Sequence, residues 1–235
     1  MVIFLRGCPF RCVYCQNYNL LEDQHYVELK EVEQEILKTK EFINALVFSG
    51  GEPFMQPQAV EAIAHVAKRQ ALSVAVQTNG FYTEIIKSTL KREQGLIDKI
   101  FLDIKAPLSD ERLYEHLTKA SGVVDRVKDT LDACIHAKID LELVTTVFKT
   151  LVGSEEVRCI AKDIEAAGAA CYPYVLQQGR AEHVQNRAIT ESEMFTREEL
   201  KELAADAYQA ADLKEVRIRT KEGGEEVIER GSDKW

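Results

Sequence analysis

The sequence predicts an α/β fold, a partial (β/α)6 barrel of the TIM type. Two observations support this prediction. Short apolar runs alternate with amphipathic helical segments, and this strand–helix unit recurs six times within 235 residues. Right-handed crossovers would then place the helices outside a parallel sheet. An open doubly wound sheet has the same alternation, so periodicity alone does not choose between the two architectures.

The elements can be assigned in order along the chain. Strands are predicted over residues 2–5, 45–48, 72–76, 99–104, 141–147 and 170–176, and helices over 29–42, 58–69, 83–92, 124–137, 155–167 and 196–211. Each strand is a short apolar run, whereas each helix repeats its apolar residues at helical spacing. The last helix begins with a capping box, Thr196 with Glu199. The polar segment 177–192 is expected to be a flexible loop.

A last strand is predicted over residues 216–220, separate from the six units. Its basic residues, Arg217 and Arg219, alternate with others, which favours an exposed edge strand protected by charge over a docking site. We expect one domain over residues 1–235, in which 196–235 form a C-terminal helix–strand extension.

Composition narrows the class of protein. The net charge of −9 argues against general nucleic-acid binding, because neutralising phosphates requires a basic face. No apolar run approaches the roughly 18 residues that span a bilayer, and the first residues do not resemble a signal peptide. The scattered cysteines Cys134, Cys159 and Cys171 are expected to be small buried hydrophobic residues. Together these features predict a protein of the reducing cytoplasm.

Three cysteines follow the first predicted strand. Cys8, Cys12 and Cys15 have the spacing C-x3-C-x2-C, and Tyr14 directly precedes the third. Soft thiolate ligands select iron–sulfur clusters, zinc or copper(I). Because the next cysteine is Cys134, no fourth thiolate completes the set, whereas a structural zinc site is normally closed by four ligands. The triad therefore indicates a cluster with one open iron, which points to catalysis.

Every other unusual motif also follows a strand. These residues are Gly50, Gly51, Glu52 and Pro53 after the second strand, Thr78 and Asn79 after the third, and Asp103 and Lys105 at the end of the fourth. Each glycine motif alone could be a turn. Because the C-terminal ends of parallel strands meet on one rim, however, the motifs are predicted to form one pocket. Glycine backbone, a carboxylate for an amino group, and an Asp-x-Lys pair on one strand face suit an amino acid joined to a ribose.

With these motifs the chain resembles the radical S-adenosylmethionine enzymes over most of its length, and the barrel expected is therefore of the radical SAM type. The resemblance implies that Cys8, Cys12 and Cys15 ligate three irons of a [4Fe–4S] cluster, while the fourth iron binds S-adenosylmethionine. Reductive cleavage then gives methionine and a 5′-deoxyadenosyl radical. It also implies that Tyr14 lies near the adenine and that residues 50–53 receive the methionine amino group.

Within that superfamily the motifs look most like the glycyl-radical-enzyme activases, above all those of anaerobic ribonucleoside-triphosphate reductase and pyruvate formate-lyase. This resemblance implies a glycyl radical enzyme as protein substrate and a flavodoxin or ferredoxin-type reductant, with neither nucleic acid nor membrane as partner. Asp103 and Lys105 would then bind the cofactor's ribose and carboxylate. His183 is a candidate cofactor contact; the alternative is a solvated histidine in a loop. Thr145 and Thr146 are further candidates for cofactor contacts; the alternative is that they have only a structural role in the strand.

Two departures from the activases are visible. No cysteine lies between Cys15 and Gly50, so the ferredoxin-like insert of some activases is absent. The sequence begins only seven residues before Cys8, whereas relatives usually have a preceding segment with an Asp-x-Pro-Gly-like turn, so we expect either a shortened chain or a neighbouring element in that role. A radical enzyme acting on a small molecule, such as 7-carboxy-7-deazaguanine synthase, is an alternative, and a non-enzymatic electron carrier is another that leaves residues 50–53 unexplained. An activase predicts an open cleft wide enough for an extended peptide, whereas the small-molecule enzyme predicts a closed pocket.

Overall fold

The computed structural model describes residues 1–22, 25–186 and 188–231, with only the backbone of His183. The strands are β1 Val2–Leu5, β2 Ala45–Gly50, β3 Ser73–Thr78, β4 Lys99–Asp103, β5 Asp140–Val147, β6 Tyr174–Gln178, β7 Val216–Thr220 and β8 Gly224–Ile228. The helices are α1 Leu29–Thr39, α2 Pro57–Arg69, α3 Thr83–Arg92, α4 Glu111–Thr118, α5 Val124–Ala137, α6 Ser154–Ala166 and α7 Arg197–Ala210. Short 3-10 turns cover Tyr18–Leu20, Lys40–Phe42, Pro53–Met55, Ala181–His183 and Glu191–Glu193.

One sheet contains all eight of these strands in chain order, from β1 to β8. Strands β1 to β7 are parallel and β8 returns antiparallel to β7. Within the described residues β1 and β8 do not pair with each other, so the sheet stays open. A doubly wound sheet would reverse its strand order at a switch point, and this sheet does not. The predicted partial barrel is therefore confirmed.

Alternation along the strands creates the two faces of this sheet. Phe48, Val76 and Leu102 are fully buried on the outer face beneath the helices. Removing each such side chain from water contributes roughly 1.5–3 kcal/mol. Ser49 and Gln77, each one position further along, lie half-buried on the inner, concave face. Across the described part of the chain, no helix has both the length and the apolar character that crossing a membrane requires.

The C-terminal strand departs from the prediction. Strand β7 is not separate, because it pairs with β6 on one side and with the unpredicted β8 on the other. Its arginines are consequently not at an exposed edge. Arg219 contacts Glu142 at 2.6 Å, and Arg217 contacts Glu225 at 2.8 Å. The alternating basic residues, expected to protect an edge strand, instead form ion pairs on the concave face, from Arg217 to the neighbouring strand β8 and from Arg219 across β6 to β5.

Two further predictions were incomplete. Helix α4 was missed because it is short, beginning at the cap Asp110 and ending before Lys119, which has a φ of 58°. The loop predicted over 177–192 begins inside β6 and contains two single turns. The capping box is confirmed, since Thr196 N donates to Glu199 Oε2 at 2.7 Å and Glu199 N donates to Thr196 Oγ1 at 3.3 Å. The division into a main part and an extension from residue 196 stays a prediction.

Candidate functional site

The cysteine loop connects β1 to the turn at residues 18–20 and rests on α4. Arg11 N donates to Thr118 O at 2.8 Å, and Val13 N donates to Leu117 O at 2.9 Å. Carbonyls in the last turn of a helix have no partner within it, so this helix end offers acceptors that the loop uses. Phe10, buried within the loop, packs edge-on against Phe81 with ring centroids 5.5 Å apart. The helix that sequence reasoning missed is thus the support of the loop.

Gly50 and Gly51 are required by the start of that loop. A Cβ on Gly50, whose φ is +110°, would lie 2.3 Å from the Leu5 carbonyl oxygen, and one on Gly51 would lie 1.9 Å from that of Gly7. Gly51 N donates to Leu5 O and Glu52 N donates to Gly7 O, each at 2.8 Å. The two glycines therefore let the end of β2 approach the backbone that leads to the cysteines.

The Glu52 side chain joins two loops. It is fully buried, and its carboxylate accepts hydrogen bonds from Phe54 N at 3.0 Å and from Thr78 Oγ1 and Asn79 N at 2.8 Å. Burial raises the pKa of Glu52 to about 7, although these three donors favour the ionised form. The carboxylate predicted to receive an amino group is thus held by protein donors, and it does not line the cavity described next.

A cavity of about 490 Å³ lies at the C-terminal ends of the strands. The predicted residues that line it are Cys8, Cys12, Tyr14, Cys15, Gly50, Gly51, Asn79, Asp103, Lys105 and Thr146. Residues Glu52, Pro53, Thr78 and Thr145 are not among its lining. A larger cavity, about 740 Å³, lies on the outer surface between α3 and α5 and contains none of the motif residues. Chemistry, rather than size, therefore identifies the smaller cavity as the candidate site.

An ion pair forms one wall of this cavity. Lys105 Nζ lies 3.0 Å from Asp103 Oδ2, and both side chains are largely buried. Burial disfavours the lysine charge, but Asp103, together with Tyr14 and Cys12, outweighs this effect and holds the pKa of Lys105 well above its ordinary value. Lys105 N donates to the buried Tyr114 Oη at 3.0 Å, so α4 positions this residue as well. The pair can supply a cation for a carboxylate and an acceptor for hydroxyls.

Tyr14 lies against this pair. Its ring centroid is 5.9 Å from Lys105 Nζ and 5.7 Å from the ring centroid of Phe148. Its hydroxyl is buried and has no hydrogen-bond partner among the described residues. A buried unpartnered hydroxyl costs free energy unless a ligand or water satisfies it, so Tyr14 fits a cavity that holds a polar ligand.

The thiols are held in a desolvated setting. Burial raises the pKa of Cys8 to about 12 and that of Cys12 to about 11, and it also raises the pKa of Cys15. Such thiols release protons when a metal binds. Three soft donors on one cavity wall suit an iron–sulfur cluster. Within the ranges that the structure covers, no three histidine, cysteine, aspartate or glutamate side chains form a group that could hold a metal ion as placed. Ligation by the triad therefore stays a prediction.

The two threonine candidates, Thr145 and Thr146, point to opposite faces of β5. Thr145 Oγ1 donates to Ile104 O at 2.7 Å and accepts from Tyr174 Oη at 3.1 Å, on the buried outer side of β5. Thr146 lines the cavity, because successive strand residues point to opposite faces. The prediction of Thr145 as a cofactor contact is corrected accordingly. His183 lies in the turn 181–183, and its side chain is outside the described part.

Sequence reasoning missed several lining residues, namely Ser49, Gln77, Gln177, Gln178 and Arg180. Their position one or two residues from the strand ends was the available signal. Of the remaining cysteines, Cys134 is buried as expected and Cys159 is half-buried. Cys171 is exposed, contrary to expectation, because it lies in the turn before β6 rather than in that strand.

Comparison with known proteins agrees with this geometry. Residues 2–164 match the model of the Radical SAM superfamily. A candidate glycyl-radical enzyme activating enzyme of Methanocaldococcus jannaschii is 30% identical over 231 residues, which cover 96% of this chain and 91% of the relative. The pyruvate formate-lyase-activating enzyme of Clostridium pasteurianum is 32% identical over 114 residues, 44% of each chain.

Two further likenesses bear on the alternatives. The 7-carboxy-7-deazaguanine synthase of Methanocaldococcus jannaschii is 27% identical over 214 residues, covering 80% of this chain and 81% of the relative. Among solved structures, Streptococcus suis SuiB bound to its precursor peptide SuiA has a TM-score of 0.71 at 13% identity. That match covers 93% of this chain but 48% of SuiB, so the chain spans about half of SuiB's length. At this identity the likeness concerns the fold alone.

Proposed function

The chain belongs to the radical S-adenosylmethionine superfamily, and from this premise we propose that it generates a glycyl radical on a partner enzyme. One observation carries the proposal: the similarity to the Methanocaldococcus jannaschii activating enzyme extends over 96% of this chain and 91% of that enzyme. The proposed target is anaerobic ribonucleotide reductase, because the cysteine loop, the Gly-Gly-Glu-Pro stretch and the Asp-x-Lys strand most resemble the activases of that enzyme.

Enzymes of this superfamily use a [4Fe–4S] cluster and S-adenosylmethionine. Once bound, and with one electron from a flavodoxin or ferredoxin-type reductant, these cofactors would supply methionine and the 5′-deoxyadenosyl radical that takes a hydrogen atom from the glycine Cα to give 5′-deoxyadenosine and the glycyl radical. In our proposal Cys8, Cys12 and Cys15 hold the cluster. Lys105 binds the methionine carboxylate and Asp103 the ribose hydroxyls.

The remaining walls position the cofactor. We assign the glycine backbone of residues 50 and 51 to the amino group, since Glu52 is engaged elsewhere, and Tyr14 to the adenine. Asn79 lines the same cavity, and its Nδ2 lies 3.5 Å from Cys8 Sγ, so it links the cofactor wall to the cysteine loop. Thr78 and Pro53 act behind this wall. All six cysteines are unpaired thiols, which supports a reducing cytoplasmic setting.

Access to the cavity supports a protein substrate. Val2 and Phe4 of β1 line the cavity and are 52% and 53% exposed, so it is open to solvent along this strand. An extended segment of a partner enzyme can enter along this exposed strand. The observation matches the open cleft expected for an activase rather than the closed pocket expected for a small-molecule enzyme.

The test is direct detection of the product radical. Anaerobically reconstituted protein is reduced, supplied with S-adenosylmethionine, and mixed with anaerobic ribonucleotide reductase from the same genome. We expect a glycyl radical signal by electron paramagnetic resonance, formed together with 5′-deoxyadenosine. The Cys12→Ala variant should give neither. Absence of the signal with every glycyl radical enzyme of that genome contradicts the proposal.

A second candidate function rests on the deazaguanine synthase likeness, which covers 80% of the chain. In this alternative the same cofactor site acts on a bicyclic small molecule. A pterin-like compound that raises 5′-deoxyadenosine formation, with no response to any glycine-containing protein or peptide, supports this second function over the first.

A further inference from the structure

Part of the cavity wall has no role in the cofactor assignments above. Ser49 and Gln77 lie side by side on β2 and β3, where Ser49 Oγ donates to Gln77 Oε1 at 3.0 Å. Thr146 and Gln177 are register partners on β5 and β6. All four line the cavity on the concave face. Two polar pairs therefore flank the strand that carries Asp103 and Lys105.

In each glutamine, one polar atom of the side-chain amide is hydrogen-bonded to the protein and the other has no partner among the described residues. Gln177 Nε2 donates to Gln178 O and Arg219 O, both at 3.3 Å, whereas its Oε1 has no partner among the described residues. Since both partners of Gln177 are carbonyls, the held end must be the NH₂ group. Gln77 is the reverse, with its oxygen held by Ser49 and its Nε2 without a partner in the described part. One amide offers donors to the cavity and the other offers an acceptor.

The neighbouring Gln178 shows what a structural glutamine looks like here. Its Nε2 donates to Phe195 O at 2.7 Å, and its Oε1 accepts from Lys221 N at 2.9 Å. Both ends are used, and they tie β6 to the loop before α7 and to the residue that follows β7. Gln77 and Gln177 each keep half of their hydrogen-bonding capacity in a half-buried position on the cavity wall.

We propose that Gln77 and Gln177 bind the backbone amides of the partner's glycine-containing segment, an inference that rests on the proposed function. Glycine has no side chain, so a site that selects it must hold the peptide groups around it. An extended backbone presents N–H and C=O groups in alternation, which matches one free donor and one free acceptor. Strands β3 and β6 are three spacings apart, about 14 Å along the sheet, which leaves room for one extended chain between the two side chains.

The open side of the cavity fits this occupant. Phe4, the register partner of Ser49, is half exposed where the cavity reaches solvent. A peptide entering along β1 therefore meets Phe4 first, then the Ser49–Gln77 pair, and then the Asp103–Lys105 wall. The order places an apolar contact at the entrance and the amide contacts further into the cavity.

The test uses the reconstituted holoenzyme and a peptide with almost no side chains, acetyl-Ala-Ala-Ala-Gly-Ala-Ala-Ala-amide. Formation of 5′-deoxyadenosine is measured against peptide concentration for wild type, Gln77→Leu and Gln177→Leu. Losing one neutral hydrogen bond predicts a rise in the peptide KM of about 3- to 10-fold in each variant. The affinity for S-adenosylmethionine and the rate without peptide should be unchanged, which a general structural defect would not allow.

Two further variants control for poor folding and for the effect of a glutamine-to-leucine change as such. Gln77→Glu keeps an acceptor for Ser49 and removes only the free donors, so it should raise KM as Gln77→Leu does even if the leucine variant folds poorly. Gln70→Leu makes the same change at the end of α2, where Gln70 accepts from Lys40 Nζ at 3.1 Å away from the cavity, and should leave KM unchanged.

N-methylation of the peptide amides beside the glycine identifies the contact. If Gln177 accepts from one of these N–H groups, methylation should raise KM in wild type but add little in Gln177→Leu. Stimulation of wild type with the same KM in all variants overturns this inference and leaves the proposed function intact. Failure of every glycine peptide, together with no radical on any partner, overturns both.

Discussion

Glu52 illustrates how a motif residue can serve the site by holding two loops together. Its carboxylate collects three donors from the turns after β2 and β3, 0% of it is exposed, and it therefore fixes the loop that carries Asn79. A buried carboxylate with three donors is costly to remove, because each donor loses its partner. The residue is best described as positioning the cavity wall.

Replacing Glu52 tests that role. In Glu52→Ala the amides of Phe54 and Asn79 lose their acceptor inside the protein, and we expect a loss of about 3 kcal/mol in the free energy of unfolding. Affinity for S-adenosylmethionine should fall as a consequence, because Asn79 and the glycine backbone shift. Chemical denaturation and ligand titration measure the two effects. Full stability together with reduced affinity would instead indicate direct contact with the cofactor.

The pKa of Glu52 gives a second prediction. Since its folded pKa, about 7, lies above the ordinary value of 4.5, the folded state binds a proton more readily than the unfolded state. The stabilisation is therefore fully present below pH 4.5 and is lost as the pH rises towards 7, by about 3 kcal/mol at most. Denaturation midpoints measured between pH 5 and 8 should fall with pH in wild type and less steeply in Glu52→Gln. Parallel slopes would contradict the raised pKa.

The cysteines give the third prediction at this scale. Single Cys8→Ala, Cys12→Ala and Cys15→Ala variants should lose the [4Fe–4S] absorption after reconstitution, and wild type should hold about four irons. Cys134→Ala is the matched control, since this thiol is buried in α5 away from the cavity and should leave the cluster intact. A full cluster in all three triad variants would contradict the assignment of these cysteines as cluster ligands. About eight irons in wild type would show a second cluster site.

At the scale of elements, two pieces of chain hold the cysteine loop. Helix α4 receives the loop amides of Arg11 and Val13 at its C-terminal carbonyls, and the end of β2 receives the loop's start against Gly50 and Gly51. The loop itself contains no helix or strand between Arg6 and Asn17. Its shape therefore depends on contacts with these neighbours as well as on hydrogen bonds within the loop, such as that from Arg11 Nη1 to Cys8 O at 2.9 Å.

Gly51→Ala tests this support. The new Cβ would lie 1.9 Å from the Gly7 carbonyl oxygen, so the two backbones must separate, and we expect a destabilisation of about 3 kcal/mol together with reduced iron content. Gly153→Ala is the control, because there the nearest atom would be 3.7 Å away. Thermal unfolding and iron analysis measure both. If Gly51→Ala and Gly153→Ala had the same stability and iron content, the close approach of the two backbones would not be the reason for glycine at position 51.

At the scale of the whole molecule, a cluster of ion pairs lies on the concave face of the open barrel, at the end opposite the candidate site. Glu142, with a side chain only 2% exposed, contacts Lys99 at 3.3 Å, Arg219 at 2.6 Å and Arg217 at 3.6 Å. These contacts join β4, β5 and β7. A sheet that does not close lacks the hydrogen bonds of a last strand pair, and the ion pairs connect strands across its concave face instead.

Removing the central anion should therefore weaken the molecule as a unit. In Glu142→Ala three cations lose a buried partner, and we expect a loss of about 3–5 kcal/mol in the free energy of unfolding. Glu35→Ala, which breaks the exposed pair with Lys38, should change stability little. Both are measured by denaturant unfolding. A small effect of Glu142→Ala would mean that the network is solvated and does not join the strands.

The sequence by itself determined the fold class, seven of the eight strands and six of the seven α-helices that the structure describes, and the rim of the site. Alternation of apolar strands and helices is a local property, and parallel strands necessarily bring their C-terminal ends to one edge. Cys8, Gly50, Asn79 and Lys105 could therefore be placed on one cavity from their positions after successive strands, before any distance was known.

Only the tertiary structure decided which side chains face the cavity and which partners they take. Thr145 and Thr146 differ by one position on a strand, so the face of each depends on sheet register. Glu52 binds residues of another loop, 26 and 27 positions along the chain, and this competition for its carboxylate has no local signature. The free ends of Gln77 and Gln177 are visible only once every neighbouring donor and acceptor is in place, because hydrogen-bond partners across a sheet are set by folding rather than by periodicity.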